Sequence, residues 1–460
     1  MEALPLAAPV AAPAPVAAAP AAAPVAPKAD PVFPHAGSKP LTENKVDFPA
    51  APVAAGAAGA AVAPSKVVPV EAIPPPAKPP TIVTPSAELK KRDLMNIYLI
   101  NTPRYHFEVV LPFLRAFSSL PDVNVTLWAG AEGSSRFGVG PMLEAEARPY
   151  PLQMEYSSNL TESSGDPDFI FLTSCPEDIA AVNSSLTAFL QRGAHVQCIV
   201  HEASKWDLRD PNTPYRDAIN YMVPWIRKGQ WEIVTLSPHV SNYVGEKFPW
   251  FFNTGMDVIY RAKVLHPVFK ISDEVVVNEK DPFAAIPGKY EPWRRNYKKI
   301  FEQYIQYKPN GKLHLLGSGK KSLLQVPPEI EKQIVFERGL TFPLYFNHIA
   351  QSITIIPTFA TPEYTLNQAS SSVATAIIAS TPLLVDRKIL KAYSQFDEST
   401  VWLQQDDESE IQAFSRISFL GPKAWMEKKR NVERLRERMM DENCQYFETV
   451  LQSIWARRHN

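Results

Sequence analysis

Cysteine is scarce in this chain: three residues in 460, at positions 175, 198 and 444, with no CxxC spacing. An odd, scattered set supports neither a disulfide framework nor a zinc site. Cys198, inside the apolar run VQCIV, reads as a buried thiol. Charge of one sign is also lacking. A formal net charge of −1 offers no electrostatic footprint for nucleic acid, which drops out as a partner. No apolar run approaches the ~20 residues that a membrane-spanning helix needs. The N-terminus lacks the basic start of a signal peptide, so a cytoplasmic location is expected; sequons at Asn124, Asn159 and Asn183 leave a secretory route open. No strand leads into GxGxxG, which disfavours a dinucleotide oxidoreductase. No Asp-x-Asp follows a strand, so neither a metal nor a cofactor is expected.

Residues 1–88 are alanine and proline with scattered valine. Proline fixes φ and removes a backbone donor, so neither helix nor sheet propagates through such a segment, and a disordered or polyproline-like arm is expected. From Leu89 the texture changes to short β-rich runs alternating with helical patterns, the signature of α/β architecture with parallel sheets. The first series of strands is read at 96–100, 123–128, 168–172, 195–200 and 232–236. A second is read at 283–288, 312–317, 333–337, 352–357, 381–386 and 400–404, after an aromatic link around FPWFFNTG. Two consecutive sheets of comparable size imply two Rossmann-like domains, 89–250 and 251–430, facing a cleft that binds ligand at the carboxyl ends of the strands. Residues 431–460 read as one long terminal helix, with Val432, Leu435, Met439 and Tyr446 able to pack on a domain.

Two stretches carry chemistry. In KLHLLGSGKK a strand runs into Gly317 and Gly319, which permit a tight turn and close approach of backbone to ligand. In NQASSSVATAIIASTP a loop delivers Ser370, Ser371 and Ser372, followed by Thr375, to the start of a helix whose apolar face is Val373, Ala374, Ile377 and Ile378. One serine suffices as a cap. The remaining hydroxyls, the unpaired N–H groups and the positive end of the helix dipole together suit a diphosphate.

The order GKLHLLGSG, IVFERGLTFPLYFNHIAQSITIIPTF and NQASSSVATAIIASTPLLVD resembles the carboxyl-terminal domain of GT-B glycosyltransferases, above all the retaining sucrose-synthase and glycogen-synthase-like family. The similarity spans roughly residues 94–440, and the RRNY stretch is also similar to one in uncharacterised fungal proteins. The resemblance implies transfer of a sugar from a nucleotide diphosphate sugar, held by the second domain, to a hydroxyl acceptor held by the first. It places Gly288, Lys289, Arg294 and Arg295 of IPGKYEPWRRNYKK near the diphosphate, where the planar fork of arginine suits phosphate oxygens. It also implies catalytic roles for His106, at a strand-to-helix loop, and for His201 and Glu202 in VHEAS, which should face the cleft. His239 and His348 read as structural. The sequence departs from that family where it counts. The two family glutamates fall at Asn367 and Thr375, and Glu363 lies out of register. A catalytically inactive GT-B scaffold that binds a partner is therefore the alternative.

Overall fold

The computed structural model describes residues 94–459 apart from 131–135, 148–152, 156–159, 161–164, 209, 211, 249–261, 272–273 and 275. The Ala/Pro-rich arm read over 1–88, Asn159 and most of the FPWFFNTG link lie outside the described residues.

The first lobe is a seven-stranded parallel sheet in the order β3-β2-β1-β4-β5-β6-β7. Its strands are β1 (Met95–Asn101), β2 (Val123–Ala129), β3 (Gln153–Glu155), β4 (Phe169–Leu172), β5 (His195–Val200), β6 (Trp231–Thr235) and β7 (Lys263–Val264). Each central strand is apolar on both faces, as a sheet covered on both sides requires. Ile97, Leu99, Phe169 and Phe171 pack to one face; Tyr98, Ile100, Ile170 and Leu172 pack to the other. The covering helices are α1 (Phe107–Ser118), α2 (Val139–Glu146), α3 (Cys175–Gln191), α4 (Arg216–Arg227) and α5 (Pro238–Lys247).

The second lobe has a four-stranded parallel sheet, β10-β9-β8-β11, from β8 (Phe283–Pro287), β9 (Lys312–Gly317), β10 (Ile334–Arg338) and β11 (Thr354–Ile355). A two-stranded unit, β12 (Leu384–Val385) and β13 (Trp402–Leu403), extends it through a parallel bridge from Ile355 to Leu383. Its helices are α6 (Tyr297–Tyr307), α7 (Phe342–Ala350), α8 (Glu363–Leu366), α9 (Ser371–Ile378), α10 (Arg387–Ala392) and α11 (Glu410–Ser418). The strands expected at 352–357, 381–386 and 400–404 keep only two ladder residues each.

One element ties the lobes together. Helix α12 (Pro422–His459) has 38 residues and is about 57 Å long at 1.5 Å per residue. Its first turns belong to the second lobe: Trp425 Nε1 donates to Ile417 O at 2.8 Å, and buried Lys429 donates to Ala350 O at 2.6 Å and Thr381 Oγ1 at 3.0 Å. Arg436 then donates to Ile378 O and Ser380 Oγ, capping the end of α9. Further on, the Asn443 side chain pairs with both backbone groups of His266. Phe447 lies 4.4 Å from Phe117 and 5.5 Å from Phe171, centroid to centroid, and Arg458 meets Asp168. Of the residues expected to pack, Val432, Leu435 and Met439 are buried and Tyr446 is half-buried.

The reading of Cys198 as a free thiol is corrected: it forms a disulfide with Cys175. The two are 23 residues apart in sequence. The crossover from β4 through α3 returns β5 alongside β4, and that sets Cys198 against the first turn of α3. Cys444 remains free.

If α12 holds the first lobe as its contacts indicate, Phe447→Ala should cost about 3–5 kcal/mol in chemical denaturation, the range for emptying a buried aromatic site. A loss below about 1 kcal/mol would mean that the helix end docks only loosely.

Candidate active site at the lobe interface

In the first lobe, the loop after β1 carries the site. Asp178, in the first turn of α3, accepts from Thr102 N and Thr102 Oγ1 with one oxygen (2.7 and 2.8 Å) and from Ser174 N with the other (2.8 Å). Burial pushes this carboxyl up to about 7, against the pull of those three hydrogen bonds. Asn101 supports the same loop by donating to Tyr105 O at 3.0 Å. The loop ends at His106, which takes a left-handed conformation (φ 68°) just before α1.

His106 and His201 stack, with centroids 4.2 Å apart and planes 16° from parallel. Nε2 of His201 donates to Thr173 O at 2.7 Å; a carbonyl can only accept, so the proton sits on Nε2. Burial, and then the neighbouring His106, drive the pKa of His201 down to about 3. It is a neutral ring at physiological pH and a poor proton acceptor, suited to positioning. Burial opposes ionisation of Glu108, but the hydrogen bond and charge of His106 outweigh it and hold the carboxyl below its usual range. Glu202 pairs with Lys205 at 2.8 Å.

In the second lobe, Gly288 and Gly317 let two strand ends meet. A Cβ on Gly317 would lie 1.8 Å from Gly288 O, so no other residue fits there. Arg295 is 5% exposed. It donates through one terminal nitrogen to Ser372 Oγ at 2.7 Å, and its guanidinium lies 5.3 Å from the Tyr364 ring centroid and 5.6 Å from that of Phe359. No carboxylate pairs with it among the described residues, and its Nε has no hydrogen-bond partner. Asn367 Oδ1, Glu363 Oε2 and Thr358 Oγ1 are buried without partners on the same group of loops. A buried charge lacking its counter-charge costs several kcal/mol. Of these atoms the Arg295 Nε–H and the Thr358 hydroxyl can donate to an anion, whereas the Asn367 and Glu363 oxygens can only accept.

The serine run divides its labour. Ser370 caps α9 by accepting from Ser372 N at 3.3 Å, Ser372 holds Arg295, and Ser371 alone is exposed. Thr375 is buried and hydrogen-bonds Tyr345, whose hydroxyl burial pushes up to about 12. Tyr345 feels the charges of both Arg295, on the second lobe, and Glu108, on the first.

A backbone seam joins the two halves. Ala203 N donates to Asn367 O at 2.8 Å and Ala369 N to His201 O at 3.2 Å, around an antiparallel bridge from Glu202 to Gln368. His239 Nε2 adds a contact to Gln368 O at 3.1 Å.

No family model and no curated protein matches the sequence. Solved structures do. A glycosyltransferase from Rickettsia africae superposes with a TM-score of 0.53 at 11% identity, over 78% of this chain and 99% of its own. Anabaena HepE in complex with UDP gives 0.51 at 12% identity, over 78% of this chain and 100% of its own. HepE with UDP and glucose gives 0.50. The chain has the GT-B fold.

The structure brings His106 and His201 together in the first lobe and seats Arg295 against Ser372 in the second. Gly288, Gly317 and Gly319 line the turns beside them, Gly319 with φ 128° against Tyr290. Lys289 is exposed, and Arg294 is exposed and paired with Glu291 at 3.1 Å. His239 braces the seam, while His348 contacts His314 at 2.8 Å in a different part of the second lobe. Asp178, Glu108 and Tyr345 escaped the sequence reading. Asp178 was visible only as an acidic first turn, and Tyr345 sits in an apolar helical pattern with nothing to mark it.

The depressed pKa of His201 fixes a sign. The unfolded chain takes up a proton near 6.5 and the folded chain only near 3, so this residue lowers stability as pH falls through that window. His201→Gln should flatten the stability–pH profile there relative to wild type. Identical profiles would show that the ring titrates freely.

Proposed function

We propose that this protein is a glycosyltransferase that moves a hexose from a nucleotide diphosphate sugar to a hydroxyl acceptor. One observation carries the reading: Arg295 is buried at the mouth of a serine-capped helix in a two-lobed cleft, with no counter-charge among the described residues. As the bond between the sugar and the diphosphate breaks, negative charge collects on the leaving group. Arg295, the N-terminal end of α9 and the exposed Ser371 would neutralise it. Ser372 would keep the guanidinium aimed, and the glycine turns at 288 and 317–319 would let the phosphates approach the backbone. On the first lobe, Glu108 would face the sugar as a carboxylate, with the neutral His201 ring and His106 ordering the acceptor side. The UDP in HepE, a protein of the same fold, favours uridine as the base.

A silent scaffold is the second reading. It is favoured by Thr375, which stands where an acidic residue is expected and has its hydroxyl bonded to Tyr345.

Thermal and chemical denaturation with UDP, UDP-glucose and GDP-mannose tests the first reading. A ligand at 100 times its Kd should add about 2.7 kcal/mol of stability. Arg295→Ala should abolish that gain, Arg294→Ala should keep most of it, and Ser371→Ala should weaken binding by about fivefold, the worth of roughly one hydrogen bond. Stabilisation without release of UDP from UDP-glucose would select the scaffold. No stabilisation by any nucleotide would remove the donor site altogether.

A further inference from the structure

A cluster on the second lobe takes no part in the reaction above. His314 on β9, Glu337 on β10 and His348 on α7 bring one ligand atom each to within 4.8 Å of one another, and all three side chains are half-buried. We propose that these residues form a binding site for one divalent transition-metal ion, with zinc the best match to the ligand set.

The sequence builds this cluster by parity. In the parallel pairing of β9 with β10, His314 is level with Val335 and Leu316 with Glu337. Alternate residues share a face, so His314 and Glu337 project to the same side of the sheet. That side is covered by α7, where Phe346 and Ile349 are buried in the same core as Leu316. His348 comes down from the helix to meet them. Phe283 forms an apolar floor: its ring stacks on His314 at 3.9 Å and lies 5.3 Å from His348.

Nδ1 of His314 and Nε2 of His348 are 2.8 Å apart. Two imidazole nitrogens at that distance share one proton. A metal ion in place of that proton would accept both lone pairs. Zinc–nitrogen bonds of about 2.0–2.1 Å put two tetrahedral ligands roughly 3.3 Å apart, so the pair need open by only about half an ångström. Two imidazoles and one carboxylate suit zinc and its transition-metal neighbours rather than magnesium or calcium, which take oxygen ligands. Three protein ligands leave a fourth position for water. The site lies on the sheet face rather than at the strand ends, so a bound ion would clamp α7 to the edge strand β10.

The test uses the full chain without an affinity tag, stripped with chelator and titrated with ZnCl2 in a calorimeter, with elemental analysis after desalting. One tightly held equivalent and a raised melting temperature are expected, with no such rise for MgCl2. Glu337→Gln and His348→Gln should each weaken zinc affinity by at least ~10-fold, since even loss of a supporting residue costs ~10–100-fold. Unchanged metal-free melting temperatures would confirm folded variants. Should His348→Gln misfold, Glu337→Gln, on a half-exposed edge strand, still decides the matter. Absence of zinc binding, or equal binding by wild type and both variants, overturns the proposal.

Discussion

A guanidinium hidden from water, with no carboxylate paired to it among the described residues, is the constraint around which the second lobe is arranged. Arg295 is kept in place by the Ser372 hydroxyl, the Arg294 carbonyl and two aromatic faces, none of which cancels its charge. The surrounding loops leave other polar atoms unpaired as well. Folding tolerates such a cluster only if the rest of the lobe is secure, and it is: β8 and β9 bury Ala284, Ile286, Leu313 and Leu315 completely. Stability spent on the sheet permits an unsatisfied mouth at its edge.

The first lobe meets that mouth with the opposite logic, because the ionisable groups around the loop after β1 have partners. Asp178 saturates the loop after β1, Thr173 fixes the tautomer of His201, and His106 holds Glu108 ionised. One wall is therefore preorganised and the other waits for a ligand. Helix α12 keeps the two in register by burying side chains in both, with Lys429 and Arg436 at one end and Phe447 at the other.

Much of the fold was legible because strand periodicity is local. The runs at 195–200 and 312–317 match β5 and β9 residue for residue, and those at 96–100 and 123–128 fall within one residue of β1 and β2. The last three runs of the second series look as β-rich as the others, yet each pairs over only two residues, since partner length is set by neighbours that the run itself does not encode. The site was less legible for the same reason. The serine run announces a cap, but Ser372 acts through Arg295, 77 residues earlier. Cys198 finds Cys175 only because a crossover folds back. Asp178 and Tyr345 gain their environments wholly from tertiary packing.

The seam between Ala203, His201, Asn367 and Ala369 is made of main-chain groups. Its hydrogen bonds therefore need no particular side-chain chemistry, although the buried Ala203 and the half-buried Ala369 leave room only for small residues. Only proline, which lacks the donor, removes one outright. The fastening of the halves is thus written into the peptide chain itself, and the chemistry of the side chains on either bank can change without loosening it.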